Sequence, residues 1–323
     1  MNAQRKTFEK WLLLVLATIV AQPVFAQDIT IRKGEVVSTE LLPRSMRQEA
    51  KIIQTTRPDQ LSSYIARLPT LTINGGVLEV EPNGEASRDG TVTISARRIV
   101  LIDAKIVTYG ANVTINTNEL VAGNAKIIAF ETNSSLESAL PGESGESGSS
   151  GGTVLLNAQS FKTLSDGPAL TVDLSGEPGQ SGGSGLQGAI GVVGFAGERA
   201  KSSSLLPVCE RSGSDGGPGG QGGPGGPGGR GGDGGNGGNL ILAGMLVKQR
   251  SAINFIAEGG KAGLGGDGGP GGKGGPGGRG GDGSPGCGGG NIGPSGPSGA
   301  AGPKGPDGRP GEPGSIRAEF GNR

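Results

Sequence analysis

From residue 142 onward glycine returns every third residue over long stretches, and that period constrains the chain more than any other feature. Glycine recurs at 142, 145, 148 and 151, and then at every third position from 176 to 197. From 216 to 238 the unit is Gly-Gly-X, with X reading Pro218, Gln221, Pro224, Pro227, Arg230, Asp233 and Asn236. Gly-Gly-X returns from 265 to 282 with Asp267, Pro270, Lys273, Pro276, Arg279 and Asp282, and 290–314 reverts to one glycine in three. The decapeptide GGPGGRGGDG stands at 225–234 and again at 274–283. Ordering a glycine costs about 0.5–1 kcal/mol more than ordering an alanine. A net hydrogen bond contributes about 0.5–1.5 kcal/mol. A run of this kind is therefore ordered only where most of its backbone groups find partners, and an isolated run is disordered.

A period of three suits polyproline II geometry, which has three residues per turn and no internal hydrogen bonds. A Gly-Gly-X segment then has two bare edges and one clothed edge, and a one-in-three segment has a single bare edge. Three readings compete: polyglycine-type helices packed within one chain, flexible solvated linkers, and a collagen triple helix between chains. Collagen needs one glycine in three with the other positions filled. Only 290–314 meets that, and the doubled glycines of the middle runs favour packing within one chain.

The remainder reads as β. Placing 90–109 (GTVTISARRIVLIDAKIVTY) over 111–130 (ANVTINTNELVAGNAKIIAF) with a shift of 21 residues aligns Val92 with Val113, Ile94 with Ile115, Ile99 with Leu120 and Ile106 with Ile127. Apolar residues alternate within each half, which is strand periodicity. Further strands are expected at 71–80, 152–161, 169–174, 239–247, 252–257 and 314–320, with the glycine runs inserted between them. The fold class this implies is mostly β: a short parallel β-solenoid of roughly 21-residue coils with inserted polyglycine-II-type helices forming a bundle. Residues 27–69 read as an N-terminal cap, with a strand pair in DITIRKGEVVST and a helix around Asp59, Leu61, Ile65 and Leu68. Coils with the first glycine-rich insertion fill 70–175, and the glycine-rich bundle with interspersed strands fills 176–320.

The chain opens with Arg5, Lys6 and Lys10, then the apolar WLLLVLATIV, then AQPVFA. This is the pattern of a secretory signal peptide cleaved after Ala26, and the apolar stretch is too short to span a bilayer. Without the leader, 26 basic residues face 28 acidic ones, a balance that argues against nucleic acid or an anionic membrane as partner. Histidine is absent, which excludes Ser–His and Cys–His nucleophiles and histidine-ligated metal. Cys209 and Cys287 flank glycine runs in an exported chain; a disulfide between them is expected, with free thiols or interchain pairing as alternatives.

The Gly-Gly-X and Gly-X-Y spacing over 142–314 resembles the polyglycine-II proteins, namely the glycine-rich tips of certain phage tail-fibre adhesins and the glycine-rich antifreeze protein of snow fleas. GPKGPDGRPGEPG resembles bacterial secreted collagen-like proteins, and the β part is similar to exported β-helix repeats of filamentous surface adhesins. These resemblances imply an extracellular, non-catalytic, structural or adhesive role. The partner would be a host or cell-surface component or a second copy, with no nucleic acid, no membrane insertion and no cofactor. The location implied is outside the cell, at its surface or in the periplasm.

Four groups of residues are candidates for function besides Ala26. Cys209 and Cys287 form the expected bridge. Arg230, Asp233, Arg279 and Asp282 form a charged edge, with Arg230 near Asp282 and Asp233 near Arg279 if the decapeptides run antiparallel. Leu186, Ile190, Val193 and Phe195 form an apolar edge that must be either covered by its own fold or used by a partner. Asp103, Glu119 and Glu131 are the acids a polysaccharide-active enzyme would need, but they share no repeat position. GGRGGD matches half of a calcium-binding nonapeptide, yet Gly235 and Ser284 occupy its apolar position. An ice binder is a further reading, disfavoured by charged and proline X positions.

Overall fold

The structure is a computed structural model that describes residues 27–47, 65–80, 87–88, 90–131, 137–203 and 208–319. The leader, its cleavage site Ala26 and most of the helix expected near Asp59 lie outside the described residues. Ile65 and Leu68, its last two apolar positions, are buried.

Alternating apolar residues form strands, and successive strands pass between two parallel sheets. The first sheet runs in the order β1 (Ile29–Arg32), β3 (Thr70–Asn74), β6 (Thr91–Ile102), β8 (Asn112–Gly123), β10 (Thr153–Thr163), β14 (Asn239–Gly244) and β16 (Ile316–Glu319). The short β5 (Ser87–Arg88) adds to β6 in antiparallel fashion. The second sheet runs β15 (Ile253–Ile256), β11 (Leu170–Asp173), β9 (Ala125–Ile128), β7 (Lys105–Val107), β4 (Val77–Glu79) and β2 (Val36–Ser38). A two-stranded antiparallel ribbon joins β12 (Lys201–Ser202) to β13 (Cys209–Arg211).

Parallel register stacks like on like. Val92, Val113, Val154, Leu240 and Ile316 form one column of the first sheet. Leu78, Ile106, Ile127, Val172 and Phe255 form its counterpart in the second. Both columns belong to one hydrophobic core, and burial of such side chains contributes about 1.5–3 kcal/mol each. β1 and β2, expected as a pair, instead start the two sheets separately, β1 on β3 and β2 on β4.

The expected fold class is corrected on both counts. The scaffold is two large parallel sheets, and the 21-residue offset holds only where β6 meets β8 and β7 meets β9. Leu71 stacks on Ile99, 28 residues on; Val113 on Val154, 41 on; Val154 on Leu240, 86 on; and Leu240 on Ile316, 76 on. Connections that vary this much do not build coils of one size. The glycine runs contain no helix and no strand. They are extended connections, and the backbone bonds of their glycines run to neighbouring segments.

The corners between sheets use left-handed backbone. Asp103, Tyr109 and Asn124 have φ of 46°, 47° and 51°. Asn124 Nδ2 donates to Asp103 Oδ1 at 2.8 Å, one corner above the next. The Tyr109 hydroxyl donates to Glu79 Oε1 at 2.8 Å. Desolvation, and then this bond to a carboxylate, push its ionisation up to about 12 from the usual 10.0. A raised phenol pKa gives stability that is complete below pH 10 and lost as pH climbs through about 12. An ultraviolet titration of the phenolates is therefore expected to show one tyrosine ionising near 12, a step that Tyr109→Phe removes.

Candidate functional site

The glycine segments leave one end of the sheets and return to it, and their backbones bond side by side. Segment 213–238 lies among four others. Its Gly217, Gly220, Gly223, Gly226, Gly229, Gly232 and Gly235 amides donate to carbonyls of 176–197 at 2.7–2.9 Å. Its Gly216, Gly219, Gly222 and Gly225 amides donate to carbonyls of 290–314. Segment 259–283 donates back to it through Gly260, Gly263, Gly266 and onward every third residue. Segment 142–151 joins it through the Gly145, Gly148 and Gly151 amides, bound to the Arg230, Asp233 and Asn236 carbonyls.

The doubled glycines are placed where backbones approach from more than one side. A Cβ at Gly222 would collide with the Gly272 carbonyl, and one at Gly232 with the Glu146 carbonyl. The X residue between glycine pairs points outward, so Gln221 is exposed. X residues also fasten neighbours: the Asn291, Arg309 and Glu312 amides donate to the Asp215, Asp233 and Asn236 side chains at 2.6, 2.9 and 2.9 Å. Asp307 Oδ1 accepts from the Gly265 amide at 2.7 Å. That bond, with Lys304 nearby, holds its carboxyl below the usual range.

The charged edge differs from its expected pairing. Segments 213–238 and 259–283 do run antiparallel, but Gly228 faces Gly266 and Gly231 faces Gly263, so the two decapeptides are out of step. Each arginine instead pairs within its own run: Arg230 with Asp233 at 2.7 Å and Arg279 with Asp282 at 3.1 Å. Exposed pairs of this kind contribute about 0–1 kcal/mol.

Cys209 and Cys287 are disulfide-bonded across 78 residues of sequence. The bridge ties β13 to the turn at 284–287, where Ser284 and Cys287 exchange backbone bonds. It therefore fastens together the two turns farthest along the segments from the sheets.

The apolar edge is not covered. Leu186 is 64 % exposed, Ile190 68 %, Val193 65 % and Phe195 90 %, and Val192 beside them is 75 % exposed. No sequence signal distinguished a covered edge from a bare one, because which segment lies alongside depends on packing.

The acids of the repeats are dispersed. Asp103 is bound to Asn124, and Glu131 pairs with Lys105 at 2.8 Å. Glu119 lies between Arg98 and Lys162 at 3.0 and 2.5 Å. The hydrogen bond from Lys162, and then the Arg98 charge, hold its carboxyl below the usual range. Among the described residues no group of three metal-ligating side chains comes together. No helix among them is long and apolar enough to cross a membrane.

A cavity of about 470 Å³, not foreseen from the sequence, opens where the second sheet meets the glycine segments. Ile128, Phe130 and Ile256 meet Asp173, Glu177 and Lys261 there. The Asp173 carboxylate is occupied by the Ser175 amide and hydroxyl, at 3.1 and 2.7 Å. Its residues come from three separate strands and two glycine segments, so no contiguous motif announces it.

Comparison with known proteins finds no matching family model, no similar curated protein and no similar solved structure.

Two outcomes test this arrangement. Gly222→Ala is expected to destabilise the chain by about 1–3 kcal/mol through backbone collision, while exposed Gln221→Ala stays within about 0.5 kcal/mol; chemical denaturation of the two variants reads the difference. Replacing both cysteines by serine should lower unfolding free energy by about 2–4 kcal/mol, with faster amide exchange first at 198–213 and 282–290.

Proposed function

We propose that this is an exported, non-catalytic protein with a structural or adhesive role at the cell surface. The observation that carries the reading is the uncovered apolar edge on a cross-bonded glycine scaffold. Large exposed apolar patches mark interaction sites, and here Leu186, Ile190, Val192, Val193 and Phe195 are all exposed on one segment. A disulfide suits an oxidising compartment, and the leader pattern agrees with export. The near balance of 29 basic and 29 acidic residues favours neither nucleic acid nor an anionic membrane as partner. Catalysis is disfavoured because Asp103, Glu119 and Glu131 are each engaged with a different neighbour. The resemblance to glycine-rich adhesin tips and secreted collagen-like proteins supports the same role.

The cavity beside Phe130 favours a second reading, glycan binding, since its volume of about 470 Å³ suits a small ligand and its carboxylates can accept hydroxyl hydrogen bonds.

The test is retention of the purified, oxidised protein on intact bacterial and host cells, measured by flow cytometry. Wild-type chains should be retained, and Phe195→Ser combined with Leu186→Ser should cut retention at least tenfold with unfolding unchanged. Equal retention of wild type and variant would sink the apolar-edge reading, and polysaccharide turnover by the same sample would sink the non-catalytic one.

A further inference from the structure

Segment 142–151 lies in the groove between 176–197 and 213–238, but it fills only half of that groove. There its glycine amides donate to the carbonyls of Arg230, Asp233 and Asn236, and its Glu143, Glu146 and Ser149 carbonyls accept from the amides of Gly183, Gln180 and Glu177. Beyond Gly183 the segment stops and the groove continues. Stepping on by threes, the next amides are those of Leu186, Ala189, Val192 and Phe195, and the next carbonyls those of Pro227, Pro224 and Gln221. None of these groups has a hydrogen-bond partner among the described residues.

Burial changes at the same point. Gly229, Gly232 and Gly235 are buried, whereas Gly217, Gly220, Gly223 and Gly226 are half-buried. A Cβ at Gly229, Gly232 or Gly235 would strike the carbonyls of Glu143, Glu146 or Ser149. At Gly217, Gly220, Gly223 and Gly226 the nearest atoms all belong to 186–195, on one side only. A Cβ at Gly220, Gly223 or Gly226 would still crowd Val192, Ala189 or Leu186, at 2.6, 3.1 and 3.1 Å, so glycine here serves the contact with 176–197.

Comparable positions in 290–314, Ala300 excepted, are closed. Pro294, Pro297, Pro303 and Pro306 carry no N–H, and the Asn291, Arg309 and Glu312 amides are held by side chains. The open amides of Leu186, Ala189, Val192 and Phe195 have neither device.

The geometry points to a docking groove for an extended peptide from another molecule that has glycine at every third position. It lies parallel to 213–238, continuing the line of 142–151. Its glycine amides donate to the carbonyls of Gln221, Pro224 and Pro227, and every third carbonyl accepts from Leu186, Ala189, Val192 and Phe195. Glycine is required because Cβ atoms at Gly145 and Gly148, the corresponding residues of 142–151, would collide with the carbonyls of Gln180 and Glu177. The side chains of Leu186, Val192 and Phe195 form an apolar rim, so the intervening residues of the peptide are apolar. A folded second copy does not offer such an edge, since its segments already use their glycine amides internally. This deepens the adhesive reading and rests on it, by assigning the partner class to the apolar edge.

The test uses the full oxidised chain with two synthetic probes, a fourfold Gly-Ser-Leu repeat and the same peptide with alanine for glycine. The glycine peptide should bind saturably in calorimetry and slow amide exchange across 184–197 at least tenfold, and the alanine peptide should do neither. Ala189→Pro with Val192→Pro removes two donors at positions where the neighbouring segment already tolerates proline. This variant should lose at least tenfold in affinity while keeping the slow exchange of Gly220 and Gly223, which reports an intact scaffold. Absence of binding, or equal binding of both peptides, overturns the groove. So does a concentration-dependent dimer that Phe195→Ser abolishes, which would give the edge to a second copy. Cell retention with no binding of the glycine peptide would leave the adhesive reading standing and this one refuted.

Discussion

The lateral hydrogen bond between one glycine segment and the next is the interaction on which the C-terminal half of this protein depends. The buried residues within the runs are glycines, so side-chain burial does not order them. Their order comes from amides such as Gly226, which donates to the Leu186 carbonyl at 2.7 Å, repeated every third residue. Those bonds need backbone-to-backbone approach that any Cβ would prevent. The composition that makes an isolated run disordered is thus the one that permits a packed set, and the conformational cost of each glycine is offset by a bond of similar size.

The sheets supply what the runs lack. Columns such as Leu78, Ile106, Ile127, Val172 and Phe255 bury apolar surface in the ordinary way. They fix where each run starts and ends: β10 pairs with β14, and β14 with β16, across insertions of dozens of residues. A disulfide fastens the opposite end. The segments are therefore anchored by hydrophobic packing at one end and covalently at the other, with backbone bonding between. This division explains why charged pairs such as Arg230 with Asp233 contribute so little: they lie on the outward X positions, in water.

Much of this was legible in the residues. The alternation in 90–130 located β6 to β9 and their register, and the restarted patterns at 152–161, 239–247 and 314–320 located β10, β14 and β16. The Cys209–Cys287 bridge, expected from the leader-like opening of the chain with free thiols or interchain pairing as alternatives, is present. Other readings were not legible correctly. A single 21-residue coil was inferred from one good alignment, but strands separated by 41, 86 and 76 residues pair just as well, because strand pairing tests side-chain match and not loop length. A helical bundle was inferred from a period of three, whereas the runs are extended connections without helix. The cross-pairing of Arg230 with Asp282 failed because antiparallel order alone does not set the offset between segments.

By itself the sequence determined which stretches alternate into strands, which stretches are bare enough for backbones to touch, and which two cysteines were available to join. These properties are local, set by side-chain size and spacing. Only the tertiary structure decided which segment lies beside which, and so that 142–151 stops short and leaves the amides of Leu186, Ala189, Val192 and Phe195 open. Neighbour choice among near-identical glycine repeats carries no local signal, since every triplet offers the same donor and acceptor. It is settled by where the sheets release each segment and how far each one extends.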